Sequence, residues 1–117
     1  MHSVDIADDD WLYRRVMGYC IVGGKVSSSA FKNRRKKPET EISVDLAKLV
    51  SPEESLRRAG MEHLSVVALQ ARDPRALGLE VIPDPLPDND AHALIVGEND
   101  MTKCQQLAEK ALVKYQP

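Results

Sequence analysis

His92 stands between two alanines at the head of an apolar run, in the string DNDAHALIVG at residues 88–97. The approach to it, PDPLPD at residues 83–88, sets three prolines at alternate positions. A single imidazole at the mouth of an apolar strand suits general-base chemistry, because its unperturbed pKa lies near neutrality. It suits equally a structural role, with one ring N–H given to a carbonyl of the proline-rich approach. Under either reading the prolines fix φ and hold that approach extended.

Arg14, the serines Ser27, Ser28 and Ser29, and Asp45 form a second set. A guanidinium on an early strand can grip a phosphate through two N–H groups, and hydroxyls beside it can position a ribose. With His92 as base, Arg14 on the phosphate and Asp45 or the serines on the substrate, the set describes an enzyme acting on a nucleotide or nucleic-acid phosphate. Serines ahead of a basic segment also serve as plain turn and edge residues. The enzyme reading needs His92 and Arg14 to converge in one pocket.

The third feature is KNRRKK, residues 32–37, whose Lys32, Arg34, Arg35, Lys36 and Lys37 are five of the chain's 16 cations. Without them 11 cations face 18 acids, so a net charge of −2 conceals a body at −7. Such an asymmetric charge distribution can steer an acidic partner. A solvated loop, a protein-docking loop and non-specific contact with nucleic-acid phosphates are the three readings of this segment. No aromatic residue interleaves with the cations and no helix-turn-helix or finger spacing accompanies them, which argues against sequence-specific readout.

Several chemistries are excluded by what must be present for them. HA at residues 92–93 begins like a zinc-deaminase signature, but Leu94 stands where the acid is required and no PCxxC follows. No CxxC or HExxH occurs, so no metal is expected, and no motif calls for a cofactor. Cys20 and Cys104 are expected to be reduced packing residues. No apolar run is long enough to span a bilayer, so no membrane partner is expected. The acidic N-terminal stretch is unlike a secretory signal, and a cytoplasmic location is expected.

The elements that must position these residues are legible in part. A length of 117 residues suits one domain over 1–117, with residues 1–9 flexible and 32–40 a basic surface loop. Aromatics make up 4% of the chain, so the core must come mainly from Val, Leu, Ile and Ala. WLYRRV and YCIV read as strand pieces broken near Gly18, and KVSSSAF as a further short strand. EISVDLAKL alternates apolar and polar residues as a half-buried strand does. SPEESLRRAG carries a helix grammar: Ser51 as cap, Pro52 first, Glu54 completing a capping box, Gly60 as stop. RDPRALG repeats it with Asp73 as cap and Gly78 as stop. HLSVVALQ reads as an interior strand, and LEVIP and AHALIVG as strands. Met101 to Tyr115 keep helical spacing after an Asp100 cap, with Lys110 and Lys114 in the last turns. The expected fold is α+β: a small sheet of about five short strands, two short helices and one long C-terminal amphipathic helix packed on it.

LYRRV followed by a serine-bearing segment resembles the opening of RES-type and related ADP-ribosyltransferase-like domains. The late glutamate that transfer chemistry of that kind requires has no counterpart here. Over residues 12–97, the order S-x-x-F-K, S-V-D and D-P-L-P-x-N-x-A-H-A resembles a family of short, uncharacterised bacterial proteins. That resemblance implies a bacterial source and a shared fold, and it brings no activity with it. The basic RRKK insert departs from the pattern. The leading expectation is a binding or accessory domain in a larger protein or protein–nucleic acid assembly, with a protein partner. The phosphate enzyme is its alternative. A homodimer that pairs an edge strand is physically reasonable for so modest a core.

Overall fold

The computed structural model describes residues 5–32 and 41–117. In chain order the elements are β1 (Trp11–Val16), β2 (Ile21–Val22), β3 (Lys25–Val26), β4 (Glu41–Leu46), α1 (Pro52–Ala59), β5 (Ser65–Gln70), α2 (Arg72–Ala76), β6 (Glu80–Pro83), β7 (His92–Val96), α3 (Met101–Lys110) and β8 (Leu112–Tyr115). Short 3-10 turns occupy Gly18–Cys20 and Ser28–Phe31. Six strands form one antiparallel sheet in the order β6-β7-β4-β1-β5-β8, and β2 and β3 make a separate hairpin. The α+β class is as expected. The sheet has six strands rather than about five.

Alternation sorts the side chains onto two faces. In β4, Ile42, Val44 and Leu46 turn to one face, joined by Leu12, Val67, Leu69, Ala93 and Ile95 from the neighbouring strands. Phe31, Cys104, Leu107 and Ala108 cover this face from the 3-10 turn and α3, and together these residues form the main core. On the opposite face a smaller cluster gathers Leu56 of α1, Leu64 and Val66, with Tyr13, Met61 and Tyr115 against it. Beyond that cluster the second face turns polar: Asp45 pairs with Tyr13 on one side and with His92 on the other.

α1 forms where its signals predict. Ser51 accepts from the Glu54 amide at 3.1 Å, Pro52 opens the helix, and Gly60 closes it in the left-handed region at φ 66°. The Glu54 carboxylate takes the guanidinium groups of Arg57 and Arg58 instead of completing the capping box. α2 departs further from its signals. It begins after Ala71, with Asp73 inside its first turn accepting from the Gln70 amide.

The long C-terminal helix is the main correction. α3 ends at Lys110, Ala111 is extended (φ −80°, ψ 148°), and Leu112–Tyr115 pair with β5 as an edge strand. β5 is buried along Ser65–Leu69, and its outer backbone groups need partners that water cannot supply. Val113 and Tyr115 are half-buried while Leu112 and Lys114 are exposed, so four residues satisfy a period of two as well as a helical one. Lys114 consequently lies over the Trp11 ring, 5.9 Å from its centroid, and not in a helix turn. The strand expected at KVSSSAF is shorter, with Lys25 and Val26 in β3 and the serines passing into the 3-10 turn. In YCIV, likewise, Tyr19 and Cys20 belong to a 3-10 turn and Ile21–Val22 to β2.

Residues 5–10 are strapped to α2. Arg75 donates to the Ile6 carbonyl at 2.7 Å and pairs with Asp8, and the Arg72 amide donates to the Asp8 carbonyl. Among the described residues, no helix is long and apolar enough to cross a membrane. Cys20 and Cys104 are both buried and free. Burial raises the Cys104 thiol above its ordinary pKa, and its Sγ–H donates to the Phe31 carbonyl.

Candidate functional site

On the polar face, a cleft of about 230 Å³ opens between α1, the sheet and the loop before β7. Arg14, Arg15, Ser43 and His92 form its floor, Arg58, Ala59 and Met61 one wall, and Leu86, Asp88 and Asn89 the other. His92 and Arg14, which the sequence places 78 positions apart, therefore meet in one cavity.

Asp45 lies directly beneath and is fully buried. Its Oδ1 accepts from Asn89 Nδ2 at 2.9 Å, and its Oδ2 accepts from Arg15 Nη1 at 2.7 Å and from the Ser55 hydroxyl. A buried carboxylate is tolerable only when its lone pairs are filled in this way. One residue thus ties β4 to β1, to α1 and to the loop. Asp45 reaches no ligand. Its effect is on the groups it holds.

Arg15 is the group most changed by that hold. Its Nη1 is committed to Asp45 and, at 3.1 Å, to the Ser55 hydroxyl. Its Nε and Nη2 have no partner among the described residues. The Nε–Nη2 edge of a guanidinium is a planar fork that matches two oxygens of a phosphate or carboxylate. Pinned through Nη1, Arg15 offers this fork with little rotamer freedom left to lose.

Arg14 is used differently. Leu12 and Val16 face the main core, so alternation sends Arg14 toward the same side. The pairing of β1 with β4 runs through Leu12↔Leu46 and Tyr13↔Asp45. Past that point Arg14 reaches across the strand edge, donating from Nη1 to the Ser43 carbonyl at 2.8 Å and from Nε to the Ala30 carbonyl at 3.1 Å. It stands in for ladder bonds and shapes the cleft floor.

His92 is 8% exposed, and its Nδ1 lies 3.0 Å from both the backbone oxygen and the carboxylate Oδ2 of Asp84. A carbonyl has no proton to give, so Nδ1 carries the hydrogen and neutral His92 keeps its lone pair on Nε2. Asp84 is placed by the β6–β7 hairpin, where its own amide donates to the His92 carbonyl at 2.9 Å. Arg58 closes the rim by donating to Glu54, Asn89 and Asp90.

Ser27, Ser28 and Ser29 do not line this cleft. The Ser27 and Ser29 hydroxyls bond each other, and Ser28 borders a wider groove between the β2–β3 hairpin, α3 and β8. Lys32 is exposed, and Arg34, Arg35, Lys36 and Lys37 lie outside the described residues. Arg15, Ser55, Arg58, Asp84 and Asn89 are the members that sequence reasoning passed over. Alternation in LYRRV was a usable signal for Arg15: with Leu12 and Val16 inward, Arg15 must face the other side. Among the described residues, no group of acidic, histidine and cysteine side chains could hold a metal ion. No protein-family model, no curated protein and no solved structure matches the chain.

Proposed function

We propose that this protein binds a phosphate-bearing ligand of the nucleotide class, with the charged group seated on Arg15. The observation that carries this reading is Arg15 on the cleft lining, its Nη1 anchored by a fully buried Asp45 and its Nε and Nη2 without a partner among the described residues. Three guanidinium groups border a cavity that holds one carboxylate, Asp88, on its wall and another, Asp45, beneath. Met61 and Leu86 add apolar surface beside the charged floor, as small-ligand sites commonly do.

The test is a calorimetric titration with a dinucleoside monophosphate, which presents one phosphodiester, against the free nucleoside as control. The phosphate-bearing ligand is expected to bind and the nucleoside not. Replacing Arg15→Gln removes a charge-assisted bidentate contact and should weaken binding by about tenfold or more. Equal binding of the two ligands, or an Arg15→Gln variant that binds as well as the parent, sinks the reading.

A further inference from the structure

We infer that the cleft hydrolyses a phosphodiester, with His92 as the catalytic base and Asp84 as the residue that positions it. This rests on the phosphate-binding reading above and adds a reaction to it. The hydrogen on His92 Nδ1 is fixed by the Asp84 carbonyl, which leaves Nε2 as the proton-accepting atom. The Asp84 carboxylate sits on the same nitrogen and stabilises the imidazolium once Nε2 has taken a proton. His92 pairs across the sheet with Asp45, the same residue that pins Arg15. Proton acceptor and phosphate receptor are therefore both placed by Asp45, His92 through the strand register and Arg15 through the carboxylate.

The charge around the cleft selects the ester. Arg15 is paired with Asp45 and Arg58 with Glu54 and Asp90, and Asp84 and Asp88 stand at the same cleft, so the carboxylates around it outnumber its three guanidinium groups. A phosphodiester, with one negative charge, is repelled less by these carboxylates than a doubly charged monoester while still meeting the Arg15 fork. Monoester transfer also proceeds through a loose transition state that asks little of a base, whereas attack of water on a diester benefits from one.

In the step, the water oxygen bonds to phosphorus as the ester P–O bond breaks. The water's proton passes to His92 Nε2 and from the imidazolium to solvent, while the oxygen departing on the opposite side of phosphorus leaves as an oxyanion that solvent protonates. No electron is gained or lost. The Arg15 fork meets the charge that builds on the non-bridging oxygens.

Bis(p-nitrophenyl) phosphate serves as the probe, with release of p-nitrophenol followed by absorbance. The parent protein should hydrolyse it faster than buffer does. His92→Gln should lower kcat by about 10²–10⁴-fold with KM nearly unchanged, as loss of a general base does. Asp84→Asn should also lower kcat more than KM, with Asp84→Glu restoring part of the loss, whereas Arg15→Lys should raise KM. Melting curves of each variant separate misfolding from lost chemistry, and Asp84→Asn keeps the test alive should His92→Gln fail to fold. A parent protein that binds the dinucleoside monophosphate but hydrolyses the probe no faster than buffer overturns the catalysis and leaves the binding reading standing. A folded His92→Gln variant with unchanged kcat overturns it as well. Failure of both binding and hydrolysis removes both.

Discussion

On one face of the sheet, Leu12, Val44, Leu69 and Ile95 are covered by Phe31, Cys104 and Leu107, and water is excluded. On the other, α1 covers Val66 and Tyr13 through Leu56 and seals Asp45 through Ser55, and the cleft opens beside that carboxylate. The first face is held by apolar burial, which has no direction and tolerates many arrangements of similar volume. The second is held by hydrogen bonds at Asp45, which fix where each partner's remaining donors point. Stability should therefore reside mainly in the first face and ligand geometry in the second.

The largest effect expected on stability comes from the apolar face. Leu107→Ala removes a fully buried side chain and should cost about 2–5 kcal/mol in a denaturant titration. Affinity for the dinucleoside monophosphate should stay within about twofold of the parent, since the cleft lies across the sheet. A marked loss of affinity in this variant would show that the two faces are energetically coupled, and the comparison would fail.

Asp45→Asn should act in the opposite proportion. An amide in that place turns a donor toward Arg15 or Asn89, themselves donors, and should cost about 1–3 kcal/mol. Ligand affinity should fall further than the stability loss alone explains, because the Arg15 fork is released. An Asp45→Asn protein with weakened stability and full affinity would show that Arg15 needs no anchor.

The smallest effect lies at the end of the sheet, away from both faces. The Lys48 ammonium, donating to Asp10 at 2.8 Å, holds the Asp10 carboxyl below its ordinary pKa. A carboxyl depressed in the folded state stabilises that state above its unfolded pKa, and the contribution is lost as pH falls through the folded value. Lys48→Met should flatten this part of the stability profile in acid. Because the pair is solvated, the change should be small and reduced by salt. It should leave ligand affinity untouched, which confines the functional geometry to the Asp45 side.

The cleft shows how far local signals reach. His92 was recognisable from its place in AHALIVG, and Asp45 from alternation in EISVDL, where it must lie opposite Ile42, Val44 and Leu46. Asp84 stands in the proline-rich string that leads to His92 and Asn89 just after it, but nothing there tells which residue turns back to the imidazole. Of the two adjacent arginines, type alone favours neither, and Arg14, the phosphate candidate in the sequence, is the one bonded to backbone carbonyls. Its bonds to Ser43 and Ala30 depend on where β1 and β4 stop pairing, which is a property of two strands and not of one.

By itself, the sequence determined the elements whose signals act over a few residues. These are the β4 alternation, the Ser51–Pro52–Gly60 helix, the Asp100 cap of α3 and the placing of His92, Leu94 and Val96 on one side of β7. Caps and alternation work through hydrogen bonds and side-chain directions within a turn or a strand, so the chain states them wherever they occur. The tertiary structure alone decided that Leu112–Tyr115 is a strand, that Arg15 is held through Nη1 by Asp45, and that Asp84 meets His92. Each of these follows from a long-range need: an unpaired edge on β5, a lone-pair deficit at Asp45, a hairpin register between β6 and β7. Such needs arise only when separated segments are brought together: 30 positions separate Arg15 from Asp45, and even the eight that separate Asp84 from His92 exceed the reach of a cap or of strand alternation.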